Sequence, residues 1–85
     1  MDQKIIEKNK ILINKLQEGN EKVWRELINK YSDKLFGYAL SLSFDHSIAS
    51  DIVQQVFISF YEYRYKLKPQ YSIGALIYSD IHKNL

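Results

Sequence analysis

Apolar residues recur along this chain at steps of three and four, and no stretch alternates with the period of two that marks a strand. Ile5, Asn9, Leu12 and Leu16, flanked by Ile6 and Ile13, predict a first helix from about Lys4 to Gln17. Gly19 should end it, since glycine accepts the left-handed conformation just past a helix C-terminus. Asn20 can cap the next helix by accepting a hydrogen bond from a free backbone N–H. That helix is the longest, from Glu21 to about Ser43, with its apolar face drawn from Val23, Trp24, Leu27, Ile28, Tyr31, Leu35, Tyr38, Ala39 and Leu42. Asp45-His46-Ser47 reads as a turn in which Ser47 caps a third helix reaching about Arg64. Its buried side takes Ile48, Ala49, Ile52, Val53, Val56, Phe57 and Phe60.

Tyr65–Tyr71 reads as a loop, because Pro69 has no N–H and holds Lys68 out of helical geometry. Ser72 is placed to cap a fourth helix from Ile73 to Leu85, with Ile73, Leu76, Ile77 and Ile81 as its apolar set. The expected fold is an all-α bundle of three long helices and a shorter fourth, cut off while its pattern is still running. Trp24 belongs in the core against Val53, Phe57 or Phe60, and among the C-terminal tyrosines Tyr61 is the one expected to be buried.

Composition narrows the function. A chain of 85 residues makes one domain with a small core. It has no cysteine, so neither a disulfide framework nor a thiolate metal site is expected. His46 and His82 have no second ligand three or four residues away, which argues against metal binding. No stretch approaches the roughly 20 apolar residues that cross a bilayer, and the first residues lack the apolar run of a signal peptide. A cytoplasmic protein with no membrane partner follows. The chain has no glycine-rich phosphate loop, no nucleophile elbow and no convincing carboxylate pair on one face. A non-enzymatic protein without cofactor is expected.

The net charge of +2 is unevenly placed. Residues 1–60 carry eight basic and eight acidic side chains, so the whole excess lies in the last 25 residues. Between Lys34 and Arg64 there is no lysine or arginine, while Asp45, Asp51 and Glu62 fall in that window. An acidic surface followed by a basic one points to two kinds of partner. On the third helix, Asp51, Gln54, Gln55, Ile58 and Glu62 share one side. Such a face is ordinarily just solvated, but here an isoleucine sits in its middle and no basic residue pairs with the acids. Five of the seven tyrosines lie at or beyond position 61, interleaved with Arg64, Lys66 and Lys68. Aromatic faces beside cations are what single-stranded nucleic acid requires, each stacked base contributing about 1–3 kcal/mol.

Ala49-Ser50-Asp51-Ile52-Val53-Gln54-Gln55-Val56-Phe57 resembles the Ala-x-Asp-hydrophobic-Val-Gln-Glu-Val-Phe signature in the second conserved region of bacterial sigma factors of the extracytoplasmic-function type. Leu16–Trp24, Tyr31-Ser32-Asp33-Lys34-Leu35-Phe36 and Ala75–Asn84 are similar to neighbouring segments of that region, so the resemblance covers about Leu12 to Leu85. The chain departs from the pattern at Gln55, usually Glu, and at Leu76, usually Trp. The family continues into a second helix-turn-helix domain, for which no residues are present, so a fragment or a truncated product is expected.

The resemblance implies binding to core RNA polymerase, with Asp51, Gln54, Gln55 and Ile58 meeting the β′ clamp helices. It also implies capture of the −10 promoter element as a non-template single strand. Tyr65, Lys66, Lys68, Gln70 and Tyr71 would surround a base flipped from the melted duplex, and His82, Lys83 and Asn84 would touch the strand. An anti-sigma factor is a further expected partner. Two rival readings need no such strand. A duplex-reading helix-turn-helix is disfavoured because residues 35–63 offer no cation to phosphate. A helical protein-interaction domain, for example an anti-sigma-binding fragment without DNA affinity, would dispense with DNA altogether.

Overall fold

The computed structural model describes residues 3–83. They form α1 (Gln3–Gln17), α2 (Glu21–Ser43), α3 (His46–Tyr63), a short 3₁₀ turn (Arg64–Lys66) and α4 (Ile73–Lys83), with no strand among the described residues. The protein is all-α, as its periodicity predicts.

The ends of the helices follow from local chemistry. Gly19 adopts φ 74°, and α1 closes with the paired bonds of a Schellman turn, Gly19 N–H to the Leu16 carbonyl and Asn20 N–H to the Lys15 carbonyl. Asn20 caps α2 by accepting from Val23 N–H at 3.1 Å. The α2–α3 turn differs from expectation. Asp45, not Ser47, caps α3, its carboxylate accepting from Ile48 N–H at 2.9 Å, so helix begins two residues earlier than a Ser47 cap allows. Phe44 closes α2 in the left-handed conformation, φ 55° and ψ 25°, donating its N–H to the Leu40 carbonyl. That conformation costs a side-chain-bearing residue about 1–2 kcal/mol that glycine escapes.

α2 and α3 share the most extensive contact, α4 packs mainly on α3, and α1 lies against α2 and the 3₁₀ turn. Leu16, Leu35, Val56, Phe60, Ile77 and Ile81 are the largest fully buried side chains, and they come from all four helices. Trp24 is buried where α1, α2 and α3 meet. Its ring meets Phe60 and Tyr61 edge-on at 5.8 and 5.1 Å, and its indole N–H donates to the Leu16 carbonyl at 2.9 Å. Val53 and Phe57 are half-buried.

Several residues assigned to buried faces are exposed: Ile5, Ile28, Leu42 and Ile48. Ile48 lies in the first turn of α3, where the chain has only just left the α2–α3 corner, and half of it stays exposed. Tyr61 is also corrected, being 43% exposed. One edge of its ring rests on Trp24, while the Arg64 guanidinium covers its face at 3.9 Å. No helix among the described residues is long and apolar enough to cross a membrane.

Candidate protein- and nucleic-acid-binding surfaces

Two surfaces are built on α3, one along its outer side and one beyond its C-terminus. Ala49, Ile52, Val56 and Phe60 are buried, which rotates Asp51, Gln54, Gln55, Ile58 and Glu62 outward together. All five are exposed, so the stripe predicted from spacing is a continuous outer face. Polar and apolar chemistry alternate along it. Carboxylates can accept charge-assisted hydrogen bonds, amides can both donate and accept, and Ile58 offers apolar area.

This face continues into features that spacing does not reveal. Beside Ile58, an open groove of about 570 Å³ runs between α2 and α3, lined by Gly19, Glu21, Trp24, Ile28, Phe57, Ile58, Tyr61 and Glu62. Its floor is apolar, and its two charged residues are both acidic. Ile28 of α2 and Tyr61 of α3, both partly exposed, stand on its opposite rims. At the other end, Ile48, Asp51, Ile52 and Gln55 line a hollow of about 330 Å³. The exposure of Ile48 is what joins Asp51 and Gln55 to this second hollow.

The segment after α3 opens as a 3₁₀ turn and continues as a loop to Ser72, and two long-range attachments hold it. Leu67 is buried in the core, and Asn9 of α1 donates from its side-chain amide to the Pro69 carbonyl at 3.0 Å. Arg64 is engaged within the protein. It donates to the carbonyls of Gln17 and Tyr61 and to the Tyr65 hydroxyl, and it lies over the rings of Tyr61 and Tyr65. Lys66 sits 5.8 Å from the centre of the Tyr63 ring. Tyr65, Lys66, Lys68, Gln70 and Tyr71 are all exposed, Tyr65 at 67% and Tyr71 at 37%. The predicted set thus shares one solvent-facing segment.

The five do not all face the same hollow. Tyr71 alone among them lines a cavity of about 310 Å³, with Ile5, Asn9, Leu12, Lys30, Tyr31, Ser72, Ile73 and Gly74. Ser72 accepts from Ala75 N–H at 3.3 Å and so caps α4 as expected. Gly74 lets the Tyr31 ring come close, since a Cβ there would stand 3.1 Å from the Tyr31 hydroxyl. Asn9, Lys30 and Tyr31 come from helices distant in sequence, which is why local reasoning omits them.

His82 and Lys83, at the end of α4, are exposed, yet each has a partner inside the protein. The Tyr38 hydroxyl and His82 Nε2 lie 3.0 Å apart, at the end of an edge-to-face series running Tyr31, Tyr78, Tyr38, His82. Lys83 pairs with Asp80 at 3.4 Å. Asn84 lies outside the described residues. No group of three or more metal-ligating side chains occurs among the described residues. Comparison of the chain with protein-family models, with curated proteins and with solved structures finds no match.

Proposed function

We propose that this chain is a sigma-factor second-region domain that docks on the β′ clamp of core RNA polymerase and holds the −10 element as a single strand. In this reading residues 1–85 form one domain, a bundle of three long helices and a shorter fourth. It works by capture and performs no chemistry, needs no cofactor, and operates in the cytoplasm.

One observation carries the reading. The resemblance names a set of α3 residues, and those residues share an exposed face without lysine or arginine, while the tyrosine-rich cationic segment leaves from the same helix's end. α3 carries the face along its side and the cationic segment at its end, so at 1.5 Å per residue Asp51 stands about 20 Å and Ile58 about 9 Å along the axis from Arg64. Asp51, Gln54 and Gln55 supply directed polar contacts to a cationic helical partner, and Ile58 with the neighbouring groove supplies apolar burial. Tyr71 and Tyr31 wall the hollow in which an unstacked base would lodge, with Lys30 beside it. Tyr65, Lys66, Lys68 and Gln70 follow the strand outside that hollow.

A specific observation also favours a protein-interaction domain without DNA affinity, such as an anti-sigma-binding fragment. Arg64 and Lys83 are engaged by internal partners, which reduces the cationic surface offered to phosphate chiefly to Lys66, Lys68 and Lys30.

The test is binding to bacterial core polymerase. An Asp51→Ala, Gln54→Ala double variant should keep wild-type helicity, because exposed substitutions cost within about 0.5 kcal/mol, and should bind core at least tenfold more weakly. A folded double variant that binds like wild type would sink the clamp reading.

A further inference from the structure

Phe44 is an 88%-exposed aromatic ring held in left-handed backbone geometry at the α2–α3 corner. Both properties act against the isolated fold. The conformation favours glycine or asparagine at such a helix end, and the ring covers none of the core. A residue held in a sparsely populated conformation with no packing return is a reason to look for a role outside the fold. Leu42 and Ile48 on either side of the turn are exposed too, at 40% and 50%. The corner therefore presents three apolar side chains within seven residues. The conformation itself is well determined by its surroundings: Phe44 N–H bonds the Leu40 carbonyl, and Asp45 caps α3 immediately afterwards. The ring is consequently displayed from a fixed base.

We propose that Phe44 is the apolar anchor of the α3 docking face, entering an apolar slot on the same cationic helical partner that Asp51 and Gln54 engage. The inference rests on the clamp-docking reading and names a contact that the signature resemblance does not include, since Phe44 precedes that signature. Two observations define the partner's chemistry. Ile48, four residues after Phe44, lines a hollow with Asp51 and Gln55, so the apolar corner leads along the chain into the outer face of α3. The charges around it, Asp45 and Asp51, are acidic, and no lysine or arginine occurs from residue 35 to residue 63. A slot rimmed by lysine or arginine complements that arrangement. Buried aromatic anchors ringed by polar contacts are where binding energy concentrates in interfaces.

The substitution Phe44→Gly separates this role from a structural one, because the two predict opposite signs. Glycine relieves the backbone, so the variant's melting temperature should rise by a few degrees. Its affinity for core polymerase should fall at least fivefold. Phe44→Leu keeps apolar bulk and should recover part of the loss. The Asp51→Ala, Gln54→Ala double variant is run alongside. If that variant loses binding while Phe44→Gly binds within twofold of wild type, the anchor is overturned and the clamp reading stands. A lowered melting temperature for Phe44→Gly would mean that the ring serves the fold, and would also overturn it. If wild type itself does not bind core, both readings fall together.

Discussion

Trp24 shows how one side chain can tie three helices. It stands on α2, donates to the last turn of α1 at Leu16, and meets Phe60 and Tyr61 of α3 edge-on. Two substitutions separate these functions. Trp24→Ala removes the whole ring and should cost roughly 3–5 kcal/mol. Stability near 0.05–0.15 kcal/mol per residue is typical, about 4–13 kcal/mol for 85 residues, so that loss removes about a quarter or more of the total and unfolds a domain at the low end of the range. Trp24→Phe retains most of the apolar area and removes the donor, and should cost about 1 kcal/mol. Urea unfolding monitored by circular dichroism measures both, and comparable losses would show that the hydrogen bond, not packing, dominates. A burial-shifted emission spectrum of native Trp24 is the companion expectation. That this tryptophan is core was legible in the sequence, because it falls in step with Leu27, Tyr31 and Leu35. Its bond to Leu16 was not, since that depends on how the Gly19 turn folds α1 back. Tyr61 fails the same kind of inference: periodicity put it near the core, but Arg64 covers it from outside and leaves it exposed.

At the scale of elements, the helices were readable and the joints were only partly so. α2 runs over the residues its periodicity marks, and Asn20 and Ser72 cap as their chemistry suggests. The α2–α3 joint was misread because Asp45 and Ser47 are both competent caps, and the choice rests on Phe44 adopting a conformation that propensity disfavours. The segment after α3 is a loop from Leu67 to Ser72, as proline and charge argue, preceded by the 3₁₀ turn. Its anchoring is what local pattern cannot show, since Leu67 burial and the Asn9–Pro69 bond are long-range facts. These attachments make a test. Asn9→Ala removes the tie from α1 and should lower global stability by only about 1 kcal/mol. Amide exchange should nonetheless accelerate selectively across residues 66–71, because segments with few attachments open independently of the core. Uniform acceleration through α2 and α3 would show that the tie supports the whole fold instead. If single-strand binding needs a preformed segment, the same variant should bind oligonucleotide more weakly than its small stability loss explains.

At the scale of the molecule, the distribution of charge decides what the C-terminal segment can do. The outer face of α3 is acidic, so a polyanion is repelled there and guided toward the segment that begins at Arg64. Within that segment the guanidinium of Arg64 is already shared among two carbonyls, a hydroxyl and two aromatic rings. Lys66 and Lys68 are the exposed cations that remain to follow a backbone. Each phosphate contact on a single strand contributes about 0.7 to the slope of log affinity against log salt, so these two lysines with Lys30 beside the hollow hold the slope to no more than about 2.1. Most of the affinity must then come from stacking on Tyr65 and Tyr71, which salt screens little. Fluorescence anisotropy with a labelled −10 non-template oligonucleotide at low salt measures both quantities. Single strand should be preferred over duplex, because stacking requires open bases. Tyr71→Ala should weaken binding without altering the salt slope, and Lys68→Ala should weaken it while lowering the slope by about 0.7. Gly74→Ala is the sharper probe of the hollow, since a methyl group there presses on the Tyr31 hydroxyl and leaves every charge in place. It should reduce single-strand affinity with the salt slope unchanged. Equal affinity for duplex and single strand, with no effect of Tyr71→Ala or Gly74→Ala, would reduce the segment to general electrostatics and leave the protein-interaction domain as the better reading.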